Sequence, residues 1–316
     1  MSTDTGTAAG STSGPASSSI NLESVRAVAK KDFQDAVRSW LFWGLSLLFF
    51  LFMAAVAGII VWIDADFNTT QFISIVSLVC KLLIPLVALA LGWQSIAGER
   101  DSGSIKILLS LPHSRKDVVL GKLLGRAAVL SLSLIIGFLI GMVAVALALQ
   151  DFSYSAYIAF LAMTILYGVA YLSIAVSLSS VTSSTTIAGA AMAGIFVLFY
   201  IVWNTIQRAL RELMYMGYFE GVTYTMSGPG GQSFEVTRLP NWAQFINMID
   251  PGTSYQNTIT IFSAISGDQL GTAFREAAYP NGIPFYLQEW FSFLILLFWI
   301  VVPIAIALYR FDRVDI

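Results

Sequence analysis

Charge, cysteine and histidine are scarce in this sequence. Only 11% of its 316 residues are charged and 57% are hydrophobic, whereas soluble domains carry about 25% charged residues. With a mean hydropathy of +0.75, this excludes a disordered chain and an ordinary soluble domain. The balance of 17 basic against 19 acidic residues gives no electrostatic footing for nucleic acid. A single Cys (Cys80) and a single His (His113) exclude a disulfide framework and a multi-ligand Cys/His metal centre within one copy. There is no phosphate-binding loop. Gly121-Lys122 lacks a glycine five residues earlier, where Lys116 stands, and lacks the following Ser or Thr. No His, Asp or Glu lies deep in an apolar segment, which argues against an intramembrane Ser-His hydrolase and a carboxylate proton relay. No catalysis, and no cofactor or metal held by this chain, is expected.

What the sequence does have is length of apolar run. A membrane-crossing helix needs about 20 such residues. Six segments qualify, at 40–62, 71–95, 123–149, 155–179, 186–207 and 288–309. The polar run Ser177–Thr186 is read as the turn between the fourth and fifth. The fold class expected is an all-α polytopic membrane protein. Basic residues set its orientation. Twelve of the 17 lie before the first span, between the second and third, or after the sixth. Arg208, Arg211, Arg238 and Arg275 lie in the long 208–287 loop, and Lys81 lies within the second span. Both termini are therefore expected to be cytoplasmic, with a net charge of about +3 inside and −6 outside.

Between and before the spans, three segments stand out. Residues 1–20 are small and polar and read as a disordered tail. Residues 21–39 read as an amphipathic helix capped by Asn21, with Leu22, Val25, Ala29, Phe33, Ala36 and Val37 on one face and Arg26, Lys30, Lys31 and Asp35 elsewhere. Such a helix is expected at the inner interface, against headgroups, or as a plain cytoplasmic lead-in. The rest, 40–316, reads as one six-helix domain. Its cytoplasmic elbow, 98–122, contains Glu99, Arg100 and Asp101, an apolar stripe of Ile105, Leu108 and Leu109, a stop at Pro112, and a capping-box pattern from Ser114 to Asp117. In the outer loop, 208–287, alternating runs around a Ser-Gly-Pro-Gly-Gly turn read as a hairpin. From Trp242 onward short helical patterns follow, able to dip into the outer leaflet or to form a small cap.

Lys81 is the one ionisable residue well inside a span, a functional lead by default because burying it is costly. Two readings are open: it lines a translocation pathway and meets an anionic or electron-rich substrate, or it snorkels outward or pairs with a carbonyl, such as the one freed by Pro85. Met214 and Met216 offer thioethers of the kind that suit a soft ion, or simply pack. Gly121-x3-Gly125, Gly137-x3-Gly141 and the Ala/Gly run 188–194 mark close helix–helix contacts, within or between subunits.

The elbow carries a resemblance. Gly98-Glu99-Arg100-Asp101-Ser102-Gly103-Ser104, then Leu108-Leu109-Ser110-Leu111-Pro112-His113-Ser114-Arg115, then Val118 through Gly125, is similar to the signature of ABC-2-type transporter permeases. Residues 85–98 and Asp250-Pro251-Gly252-Thr253-Ser254-Tyr255 look most like the branch associated with nitrous-oxide-reductase maturation and copper. The resemblance covers residues 22–316. It implies two permease copies, or two related ones, paired with separate cytoplasmic ATPase subunits that carry ATP and Mg. It also implies that the stretch from Glu99 to Arg115 is the coupling helix, with Glu99, Arg100 and Gly103 in the coupling turn and Leu108, Leu109 and Arg115 in docking. The alternatives are an ATP-independent transporter or channel, which calls for buried carboxylates or inverted repeats, and a membrane scaffold.

Overall fold

The computed structural model describes residues 20–63, 66–104, 114–182, 184–227, 232–265 and 277–311. The tail assigned to 1–20 therefore lies, up to residue 19, outside the described residues, as do Leu108, Leu109, Pro112 and His113.

Helix α1 (Leu22–Val37) starts where Asn21 Oδ1 accepts from the Glu23 and Ser24 backbone N–H groups. Helix α2 (Trp40–Trp62) is the first span and α3 (Thr69–Gly92) the second. A short helix, α4 (Ala97–Asp101), begins the elbow. The third span is α5 (Arg115–Ala148), opened by the expected capping box: Ser114 Oγ accepts from Asp117 N–H and the Asp117 carboxylate from Ser114 N–H. At 1.5 Å per residue, its 34 residues extend about 51 Å. That exceeds the ~30 Å hydrocarbon thickness, so its first turns protrude on the elbow side. The fourth span is α6 (Tyr154–Val181). The fifth is continuous from Thr185 to Tyr215, made of α7 (Thr185–Val197), a π-helical turn (Leu198–Val202) and α8 (Trp203–Tyr215). The last is α11 (Glu289–Phe311). Each of the six is long and apolar enough to cross a membrane.

Helices α1 and α2 run in the same direction along α5, and glycines make this possible. A Cβ at Gly121 would sit 2.6 Å from Val28 Cβ, and one at Gly125 2.9 Å from Asp32. One at Gly137 would lie 2.7 Å from Phe49 Cβ, and one at Gly141 2.6 Å from Met53 Cβ. Both small-residue repeats of the third span thus seat this chain's own helices. The buried face of α1 also differs from its spacing. Leu22 is exposed, while Val28 and Asp32 are buried beside Val25. The neighbour is another helix, which accepts a carboxylate if it brings cations to meet it.

Two boundaries move. The turn expected over Ser177–Thr186 is shorter than that run: α6 continues to Val181 and α7 starts at Thr185. Its serines are consumed by carbonyls, Ser177 Oγ donating to Ser173 O and Ser180 Oγ to Ser177 O, so they can be buried in a helix. The fifth span likewise runs to Tyr215, into the segment assigned to the outer loop.

In that loop, β1 (Val222–Ser227) and β2 (Ser233–Arg238) form the expected antiparallel hairpin, with Val222 opposite Arg238. Helix α9 (Asn241–Met248) follows, then α10 (Pro251–Ile265). Helix α10 folds back among the spans, packing on α11, α6 and α3, with Tyr255 and Ile259 in the main core.

Candidate functional site

At the elbow, consecutive residues bind different parts of the bundle. The second span stops at Gly92. Ser179 Oγ of the fourth span then donates to Trp93 O and accepts from the Ile96 and Ala97 N–H groups, so α4 starts against α6. Glu99 Oε1 lies 2.6 Å from Lys122 Nζ on α5. The Arg100 guanidinium donates to the carbonyls of Thr182 (2.9 Å) and Ser180 (3.4 Å), at the C-terminal end of α6. A cation is favoured there by the unpaired carbonyls and the helix dipole. Asp101 Oδ2 accepts from Thr185 N–H (2.8 Å) and from its hydroxyl, at the first turn of α7, where the dipole favours an anion. Gly103 then closes α4 with φ +71, its N–H donating to Arg100 O. A left-handed residue past a helix end is ordinarily glycine.

Lys122 extends the set to α1. Its Nζ is also 2.9 Å from Asp32 Oδ1, and Arg126 Nε is 2.9 Å from Asp32 Oδ2. Asp117 Oδ1 accepts from Asn21 N–H and its Oδ2 from Ser114 N–H, so one carboxylate serves the starts of both α1 and α5. Four elements are thus joined through charges: α1, α4, α5 and the α6–α7 junction. Asp32 was missed in the sequence. The signal was available, because Asp32 falls at helical spacing from Val25 and Val28, on the apolar arc of α1. Of the docking residues expected from the resemblance, Arg115 is half-buried in the first turn of α5, and Leu108 and Leu109 fall outside the described residues.

The second arrangement surrounds Lys81. Its Nζ donates to Gln256 Oε1 at 3.0 Å and lies 4.0 Å from Asp250 Oδ2, with 16% of the lysine side chain exposed and 3% of the aspartate's. Pro85 has no N–H for the Lys81 carbonyl four residues back, and the Tyr167 hydroxyl donates there instead, at 2.9 Å. Tyr167 stacks on Tyr255 at 4.4 Å between centroids, and Tyr255 shares a 2.9 Å hydrogen bond with Thr164. Cys80 is fully buried beside them. A crevice here is lined by Lys81, Asp250, Tyr167, Tyr171, Phe199 and Tyr200.

Asp250 also starts α10. Its Oδ2 accepts from the Thr253 N–H and hydroxyl, both at 2.8 Å, with Pro251 at the first helical position. A Cβ at Gly252 would meet Lys81 Cε at 2.7 Å, so this glycine leaves room for the lysine stem. The carboxylate that meets Lys81 comes not from a span but from a folded-back loop. Met214 and Met216 do not converge: Met214 is buried with Leu239 and Ala243, and Met216 is exposed. Among the described residues no group of three His, Cys, Asp or Glu side chains is placed to hold a metal ion.

Comparison with known proteins agrees with this architecture. Residues 26–316 match the model of the ABC-2 family of transporter proteins. The chain is 30% identical over 197 residues to a protein of Stutzerimonas stutzeri named probable ABC transporter permease protein NosY, covering 59% of this chain and 70% of that protein. It is 28% identical, over the same shares, to the protein of that name from Pseudomonas aeruginosa.

Proposed function

Given that the chain belongs to the ABC-2 family of transporter proteins, we propose that it is the permease subunit of an ATP-driven transporter, worked by a separate cytoplasmic ATPase through the elbow. The single observation that carries this is the division of labour at Glu99, Arg100 and Asp101. One rigid turn holds the third span, the end of the fourth and the start of the fifth. A push on α4 reaches all three at once. In this reading Glu99, Arg100 and Gly103 set the coupling turn, and Leu108, Leu109 and Arg115 dock on the ATPase, which carries ATP and Mg. The transporter contains two permease copies, or this one and a related one, in the cell membrane, with both termini cytoplasmic.

Lys81 lies on the translocation pathway in this account. Its partner Asp250 sits on a folded-back segment rather than on a span, so release of the pair would let α10 move relative to α3. The same buried pair is the feature an ATP-independent, ion-coupled transporter would need, and one experiment separates the two. The tagged chain is purified in mild detergent with its ATPase, and retention and ATP hydrolysis are compared with those of Glu99→Gln/Arg115→Gln. The proposal expects a stoichiometric ATPase whose retention or coupled hydrolysis depends on the elbow. Intact complex formation and hydrolysis in the double variant contradict it.

A further inference from the structure

Beside the elbow two adjoining cavities share Leu41, Leu91, Lys122 and Arg126 as walls. The first, about 410 Å³, adds Trp93, Gln94 and Glu99. The second, about 370 Å³, adds Asp32, Asp35 and Phe42. They lie where α2 begins, α3 ends and α5 leaves the hydrocarbon, which is headgroup depth.

Their polar groups are only partly used. Lys122 is committed to Asp32 and Glu99. Arg126 Nε lies 2.9 Å from Asp32 Oδ2, yet neither of these buried atoms has a hydrogen-bond partner among the described residues. Glu99 Oε2 is buried and likewise without such a partner among them. A buried acceptor left unpaired is costly, so a ligand that donates to it is favoured. The lining thus offers a guanidinium fork suited to phosphate, a carboxylate oxygen lacking a donor, and apolar walls from Leu41, Leu91 and Phe42. Three carboxylates (Asp32, Asp35, Glu99) face two cations (Lys122, Arg126), which leaves no excess positive charge to hold a purely anionic headgroup.

We infer that these cavities form a site for the headgroup of a zwitterionic phospholipid bearing a primary ammonium: phosphate on Arg126, ammonium on Glu99, acyl chains along Leu41 and Leu91. A trimethylated ammonium has no N–H for Glu99, and a glycerol headgroup has no cation. The site is independent of the coupling proposal, because it needs only the membrane setting and the cavity.

The test is native mass spectrometry of the delipidated full chain, titrated with phosphatidylethanolamine, phosphatidylcholine and phosphatidylglycerol of identical acyl chains. Phosphatidylethanolamine is expected to be retained at about tenfold lower lipid concentration than the other two. Leu41→Trp, which adds bulk at the wall shared by both cavities without touching a charge, and Arg126→Gln are expected to abolish that preference, with Leu41→Trp melting like the parent. Equal retention of the three lipids, or a preference that survives Leu41→Trp, overturns the site. Displacement by soluble glycerophosphoethanolamine at the concentration at which the lipid binds overturns its assignment to a lipid.

Discussion

Glu99 Oε1 and Lys122 Nζ stand 2.6 Å apart, and through this pair the elbow after the second span is fastened to the third. Lys122 is largely buried and serves Asp32 as well. Removing it takes the cation from Glu99 and leaves Asp32 with Arg126 alone. Lys122→Met is therefore expected to destabilise the chain by about 3 kcal/mol, in the range found when one partner of a buried pair is deleted, and to lower the melting temperature in detergent. Asp32→Asn in the same background recovers part of the loss, because the two changes share one network. Additive losses would show that the charges act separately.

Arg100 joins α4 to the end of α6 through two carbonyls. Arg100→Ala removes charge-assisted hydrogen bonds worth about 1.5–3 kcal/mol. ATP hydrolysis by the complex is expected to become independent of substrate while the complex still assembles, as read by hydrolysis with and without cargo. Unchanged coupling would leave Arg100 a structural cap only.

The glycines of the third span differ from Gly194 of the fifth. Gly137→Val drives a side chain into Phe49 Cβ and Ser46 O, and a cost of about 1–3 kcal/mol is expected from overpacking. A Cβ at Gly194 meets nothing within 4 Å. Gly194→Ala is expected to leave the single chain as stable or to gain up to about 1 kcal/mol from helix propensity. A loss of transport without loss of stability would mark Gly194 as a contact with the second permease copy. Thermal unfolding and transport, measured side by side, decide it.

Asp250 both caps α10 and faces Lys81. Asparagine is also a good cap, so Asp250→Asn tests the charge alone. It is expected to keep thermal stability within about 1 kcal/mol and to reduce transport to the level of Lys81→Met. Wild-type transport by Asp250→Asn would remove the pair from the pathway.

The spans were legible because apolar runs of this length have no other use, and Ser114-x-x-Asp117 because capping is local. Lys81 stood out as a charge in such a run. Its partner did not. Asp250 lies in a loop of ordinary polarity, and only the return of α10 among the spans joins the two. The serines from 177 to 180 misled for a related reason: a hydroxyl that donates within its own helix looks polar in sequence and behaves as apolar when packed. Asp32 was readable from its spacing, but its meaning depended on Lys122 and Arg126, far along the chain.

The most direct test of elbow coupling uses Ser102, which is exposed at the end of α4. The native Cys80 is buried, so Ser102→Cys carries the one accessible thiol among the described residues. A short photoactivatable crosslinker placed there in intact membranes, with products identified by mass spectrometry, is predicted to capture the ATPase subunit. The same probe at Tyr218, on the opposite side, captures none. A complex that co-purifies with its ATPase yet gives no adduct from Ser102 would contradict the elbow as the point of coupling.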